Sequence, residues 1–231
     1  WDAIDGLDPK SNSLAEEAIF LGRLVVSLVP DEPEPMGLLA LMLHCESREP
    51  ARRGPRGEFI PLGEQDTGQW NRNLLIEAET LLSSAAQKSR MGRFQTEAAM
   101  QSLHAQSKLT ASAHPEALAR LYDLLCEQTD AIGAWVSRAA AHAELHGADR
   151  GLELLTAIPE VQVESYQPYW AARAHLERTV GLDDRAARAR AIELSRDPAI
   201  REFLSLGHAS AKDDTEAHRG DAYDVLNQDV D

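Results

Sequence analysis

Few residues in this sequence have types and spacings suited to chemistry. His142 and His146 stand at i and i+4, a spacing that sets two imidazoles on one helix face as a zinc or other transition-metal ion would need. No third ligand type follows at a recognisable distance, and an ordinary surface helix in an Ala-rich repeat is the better explanation of the pair. His44 and Cys45 are adjacent, so on a helix they point about 100° apart and cannot share one ion without distortion. Carboxylates cluster at Asp31, Glu32 and Glu34 and again at Glu64 and Asp66. Paired acids can share a proton for general acid and base work, but these flank expected helix starts, where negative charge meets the positive end of the peptide dipoles. No phosphate-cradling glycine loop, Gly-x-Ser-x-Gly elbow or His-Glu-x-x-His pair occurs. The expectation is a chain without catalytic residues, metal or cofactor.

One constellation remains, about a long loop: Arg48, Arg52, Asp66, Trp70, Arg72, Phe94, Gln95, Glu97 and His104. If the helices on either side pack around that loop, these side chains could line an interaction groove for a peptide or a small ligand. The alternative is a salt-bridged collar that pins the loop.

The elements that must position these residues are helical. Residues 1–13, with Gly6 and Pro9, read as an irregular opening segment. From Leu14 the apolar residues Ile19, Leu21, Leu24, Val25 and Leu28 recur at three and four, predicting a helix to about Leu28 with Ser13 as its cap. Pro30, Pro33 and Pro35 force a break before a second helix, Met36 to about Arg48. Residues 49–69 hold Pro50, Gly54, Pro55, Gly57, Pro61, Gly63 and Gly68, too many breakers for a helix, with Glu58 to Leu62 as a candidate short strand. Asp66 and Gln69 have capping-box spacing and predict a helix from Trp70 to Lys88. Met91 to His104 and Pro115 to Gln128 follow as helices.

Farther on, a shift of 34 residues pairs Ala140 with Ala174, Gly147 with Gly181, Asp149 with Asp183, Ala157 with Ala191 and Ile158 with Ile192. That is the tetratricopeptide period, two antiparallel helices per unit. The units are Ile132 to His146 with Asp149 to Ala157, and Gln167 to Val180 with Asp183 to Leu194. Pro198 to Leu206 forms a last helix. The expected organisation is an all-α array of helix hairpins: a lobe over 14–128, tetratricopeptide-like repeats over 129–206, and a polar, acidic tail over 207–231 in which Tyr223, Val225 and Leu226 are the apolar residues able to dock.

Bulk properties agree with this class. The 231 residues are 43% hydrophobic but only 5% aromatic, enough for a sizeable core built from small and aliphatic side chains. Lys and Arg number 23 against 38 Asp and Glu, a formal charge of -15, which repels a phosphate backbone and argues against direct nucleic-acid binding. Cys45 and Cys126 lie far apart inside apolar patterns, as thiols of a reducing, cytoplasmic compartment do. No apolar run approaches the ~20 residues that span a bilayer, so no membrane contact is expected. Trp1, not Met, opens the sequence, and the expectation is a piece of a longer protein.

Ordered blocks carry a resemblance: Ala18 to Arg23 (AIFLGR), Pro30 to Glu34, Gly37 to His44 (GLLALMLH), Glu64 to Asp66 followed by Trp70, Phe94 to Ala105, Ile132 to Ala141 and Tyr166 to His175. In this order, from about Ala15 to Leu204, they resemble the tetratricopeptide-like C-terminal extension of a group of extracytoplasmic-function RNA polymerase sigma factors. The resemblance implies bacterial transcription initiation for the intact protein, with the promoter-reading domains absent from this chain. It also implies a regulatory, protein-interaction role here. The implied partners are the sigma-factor DNA-binding domains of the same parent chain and RNA polymerase. The alternative from a different class is a small-ligand-sensing domain that uses the groove near the 49–70 loop.

Overall fold

Pro9 opens the first helix, α1 (Pro9–Leu28); proline suits a first turn because its missing N–H would be unpaired there anyway. The computed structural model describes residues 9–206, with side chains from residue 14 onward. The opening segment is therefore helical from Pro9, and Ser13 lies within α1 and does not cap it. The expected acidic tail, with Tyr223, Val225 and Leu226, lies outside the described residues. The chain divides between Ala51 and Arg52, Gln65 and Asp66, and Thr129 and Asp130 into two compact units. The expected lobe over 14–128 is thus not one contiguous stretch, because residues 52–65 are counted with the second unit.

In the first unit α2 (Pro33–Ser47) is central, packing on α1, α3 (Arg72–Ala86) and α4 (Arg93–Thr110), while α5 (Pro115–Gln128) packs on α4. Ile19, Leu39, Ala40, Leu43, Ala78 and Ala98 form its core. The start of α3 differs from the reading by capping. Asp66 does accept a hydrogen bond, from Gly68 N at 2.8 Å, but this closes a 3-10 turn, Thr67–Gln69. Asn71 is the true cap of α3, its Oδ1 accepting from Asn73 N and Leu74 N, so α3 begins at Arg72 and not at Trp70. Helix α4 runs past His104 to Thr110, since residues 105–110 contain no Gly or Pro to stop it.

The second unit holds α6 (Ile132–His146), α7 (Ala148–Thr156), the single turn α8 (Glu160–Val163), α9 (Gln167–Thr179), α10 (Arg185–Leu194) and α11 (Pro198–Leu206). Helices α6 with α7 and α9 with α10 form the two hairpins, and α9 also packs on α6 and α7. These are the two helix pairs expected from the 34-residue shift. Gly147 and Gly181 take φ of +97° and +78° at the hairpin turns, backbone that side-chain-bearing residues avoid. The segment 52–65 makes a tight turn with a lone bridge between Arg53 and Phe59. No strand occurs among the described residues; the bridge is closed by Gly54 N donating to Glu58 O at 2.9 Å and Ile60 N donating to Arg52 O at 3.0 Å. Phe59 instead packs with Ala171 and Ala191 and meets Phe203 edge-on at 5.2 Å, and Arg53 pairs with Asp197.

Candidate functional site

Two features carry polar chemistry, one in each unit. The first is a buried polar seam. Gly37 brings α2 so close to α4 that a Cβ there would lie 2.6 Å from Gln95 N. At this crossing Glu34 of α2 reaches the start of α4, whose own cap, Gly92, offers no side chain. The Glu34 carboxylate accepts from Phe94 N at 3.1 Å and from Gln95 N and Nε2 at 3.3 and 3.0 Å. Of the acidic cluster over 31–34, Glu34 thus caps a neighbouring helix, and Asp31 accepts from Lys88 at 2.8 Å. One turn on, Glu97 is buried and accepts from Arg93 Nε at 2.6 Å. Burial raises its pKa above the usual carboxylate range in spite of Arg93, with the Glu34 charge adding to the rise.

Farther along the same crossing Arg48 donates to Gln101 Oε1 at 2.5 Å, and both are buried. His44 is 1% exposed. Its Nε2 stands 3.5 Å from Glu79 Oε1, beyond hydrogen-bond reach, and neither ring nitrogen has a hydrogen-bond partner among the described residues. Glu79 accepts instead from Ser102 Oγ at 2.6 Å. Burial first, and the Arg48 charge second, push the pKa of His44 down to about 3. The same two causes in the same order bring half-buried His104 to about 3. Both imidazoles are neutral at pH 7, and Arg48 holds the positive charge between them.

The expected groove residues separate accordingly. Arg48, Trp70, Gln95 and Glu97 are buried, and His104 is half-buried. Within this seam Gln95 and Glu97 lie at the Glu34 end, while Arg48 acts on His104 at the other. Trp70 is buried with its Nε1 unpartnered among the described residues. Asp66 and Arg72 are exposed on the turn and the first residue of α3. Arg52 is half-buried in the segment counted with the second unit. Phe94 lies under the Arg93 guanidinium at 5.6 Å. Among the described residues no group of three or more His, Cys, Asp and Glu side chains is placed to hold a metal. The His142 and His146 rings lie 5.5 Å apart on α6, and Cys45 and Cys126 are half-buried thiols.

The second feature is a repeated pair that the 34-residue comparison missed. Arg138 lies 5.8 Å over the Trp135 ring on α6, and Arg173 lies 5.7 Å over the Trp170 ring on α9. Each is a Trp-x-x-Arg, and the two are related by a shift of 35. Buried positions follow the same shift: Ala134, Val136, Ser137, Ala139 and Ala141 correspond to Tyr169, Ala171, Ala172, Ala174 and Leu176. The first helices of the two hairpins therefore carry the same aromatic and cationic side chains in the same register, but Trp170 is half-buried and packs on the cluster of Phe59, Ala171 and Ala191. Trp135 is 38% exposed. Trp170 donates from Nε1 to Val163 O at 3.0 Å, and Arg173 pairs with Glu177 at 2.8 Å. Comparison at 35 would have found the signal.

Residues 1–86 match the model of a family described as a family of unknown function (DUF6596). The chain is also similar to the uncharacterized protein R00370 of Rhizobium meliloti (strain 1021), 31% identical over 221 residues, which cover 94% of this chain and 52% of that protein. The chain thus spans about half the length of this relative. No solved structure matches it. No described helix is long and apolar enough to cross a membrane.

Proposed function

We propose that this chain is a protein-binding module without catalysis of its own, the C-terminal regulatory domain of a sigma factor acting in bacterial transcription initiation. The observation that supports protein binding best is the repeated Trp135–Arg138 and Trp170–Arg173 pair on the first helices of stacked hairpins. Tryptophan and arginine are the residue types that most often dominate protein interfaces, because each contributes broad apolar contact and directed polar bonds at once. The formal charge of -15 suits a basic partner such as a DNA-reading domain and disfavours DNA itself. The sigma-factor part of the reading rests on the sequence resemblance, and a relative about twice as long leaves room for promoter-reading domains in a parent protein. A cytoplasmic location follows from the same reading.

The test is promoter-dependent transcription with a sigma factor that carries this domain, compared with the same protein after the domain is deleted and after it is restored in trans. The expected outcome is a change of tenfold or so on deletion, on the order of 1.4 kcal/mol of coupling, reproduced by Trp135→Ala with Trp170→Ala. Unchanged transcription in every case removes the regulatory role.

A small-ligand sensor is the second reading, favoured by the nitrogens of buried His44 and Trp70 that have no hydrogen-bond partner among the described residues and would accept partners of ligand chemistry. A metabolite-dependent rise in melting temperature that Trp70→Phe abolishes supports it.

A further inference from the structure

Among the described residues, helix α1 has partners on one side only. Ala15 and Ile19 are buried, and a Cβ on Gly22 would lie 3.1 Å from the Leu39 side chain, so this face packs on α2. The other face is apolar and open: Leu14 is 54% exposed, Phe20 63%, Leu21 50%, Leu24 45%, Val25 46% and Leu28 71%. A helix apolar on both sides is normally buried on both. Elsewhere among the described residues the large exposed apolar side chains, such as Ile76, Leu109 and Val161, are scattered over separate elements, which is ordinary for a protein surface.

We propose that a second copy of this chain covers the open face, α1 lying antiparallel on α1 across a two-fold axis at Leu21. Leu14, Leu21 and Leu28 are spaced by seven and form one stripe. The stripe is also symmetric about Leu21: an antiparallel copy sets Leu21 over its own equivalent and Leu14 over Leu28 of the second copy, the self-complementarity that a two-fold interface requires. The area is sufficient. Six side chains at these exposures leave apolar surface on the order of 500 Å², the upper part of the range that a monomer shows. Interfaces are about 57% apolar overall, so a patch of this size belongs to an interface of about 900 Å² per copy, close to the ~800 Å² of a standard specific complex. Glu17, one turn before Leu21, is the single charge within the stripe, while Arg23 is turned to Glu77 at 2.7 Å. Repulsion between two copies of charge -15 is long-range and screened beyond about 8 Å at physiological salt, so added salt tightens the pair.

Sedimentation velocity of the 231-residue chain over micromolar concentrations tests the proposal. The expected result is a dimer whose Kd falls several-fold when salt is raised, rises tenfold or more in Leu21→Glu, and is unmoved in Val161→Glu, a control at an equally apolar, 82% exposed site. If Leu21→Glu fails to fold by circular dichroism, oxidative cross-linking replaces it, in chains with Cys45→Ala and Cys126→Ala. Leu21→Cys then links to its own copy, and Leu14→Cys links only when Leu28→Cys is also present. A chain that stays monomeric at about 100 μM overturns the proposal. So does a dimer indifferent to Leu21→Glu, self-linking through Leu14→Cys alone, or a monomer whose stripe is protected only by a different polypeptide.

Discussion

Both units have apolar cores, but the first also buries a polar seam between α2 and α4, whereas the second packs its hairpins largely through alanine. At the crossing of α2 and α4 the buried residues include His44, Arg48, Gln95, Glu97 and Gln101, each of which costs desolvation unless it is paired. In the second unit the corresponding layer is Ala134, Ala139, Ala140, Ala141, Ala171, Ala172, Ala174, Ala187 and Ala191, which bring helix backbones together with no polar demand and little side-chain entropy. The contrast separates two ways of fixing helix geometry. A polar seam specifies one register because any slip leaves charges unpaired, and its strength follows pH. An alanine layer specifies distance alone; on α9 the orientation is fixed by Trp170, which packs on the Phe59, Ala171 and Ala191 cluster and donates to Val163 O.

Both units nevertheless rely on one glycine at a close crossing, which gives the largest expected effect. A Cβ on Gly37 would meet the backbone of α4, N and Cα of Gln95 at 2.6 and 2.9 Å. On Gly151 it would meet Ala143 Cβ at 2.6 Å and Leu176 Cδ1 at 2.9 Å. Gly37→Leu and Gly151→Leu should each lose about 3 kcal/mol in urea unfolding, the upper range of overpacking. If Gly151→Leu is tolerated within about 1 kcal/mol, the alanine layer yields as a whole and the two units differ more than their glycines suggest.

The seam alone should respond to mild acid. His44 titrates at about 3 in the folded chain against about 6.5 when unfolded, so below 6.5 the unfolded state binds the extra proton. The stability that neutral His44 supplies is complete above 6.5 and is lost as pH falls from there towards 3, by about 2 kcal/mol at pH 5. His104 shifts in the same direction. Glu97 works the opposite way: its raised pKa supplies stability below the ordinary carboxylate value and loses it as pH rises. Urea unfolding at about pH 7.5 and pH 5 should therefore show a loss in acid that His44→Leu reduces by about 2 kcal/mol. An unchanged difference in His44→Leu would place the acid sensitivity outside the seam.

The helices were readable because their boundaries are chemical. Pro33, Pro115, Pro168 and Pro198 stand in the first turns of α2, α5, α9 and α11, and the turn glycines Gly147 and Gly181 mark both hairpins. The shift of 34 holds for those glycines but not for the packing. Gly151 and Leu155 of α7 correspond in burial to Ala187 and Ala191 of α10 at a shift of 36, because α7 begins directly after Gly147 whereas residues 180–184 separate α9 from α10. The seam was readable only in part: Arg48, Gln95, Glu97 and His104 were grouped from the sequence, but His44 and Gln101 were not, and the close approach of α2 and α4 at Gly37 that buries Gln95 is a tertiary fact. Asp66 and Arg72 were grouped with them by nearness to the loop, yet both face solvent.

The smallest expected effects lie on the surface and sharpen the contrast from outside the cores. In the first unit Arg23 makes a two-pronged bridge to Glu77 across two helices, Nε and Nη2 each at 2.7 Å from a different carboxylate oxygen. The Glu77 pKa is lowered, chiefly by that hydrogen bond. In the second unit Arg150 pairs with Glu153 within one helix at 2.7 Å, with side chains 47% and 65% exposed. Fork-to-fork geometry holds a guanidinium in register with a carboxylate, whereas a single-pronged pair in water returns little after side-chain entropy is paid. Double-mutant cycles in low salt should give about 0.5 kcal/mol for Arg23 with Glu77 and about 0.2 kcal/mol or less for Arg150 with Glu153. Equal couplings would mean that solvent levels the two units at their surfaces, and that their difference is confined to what lies between the helices.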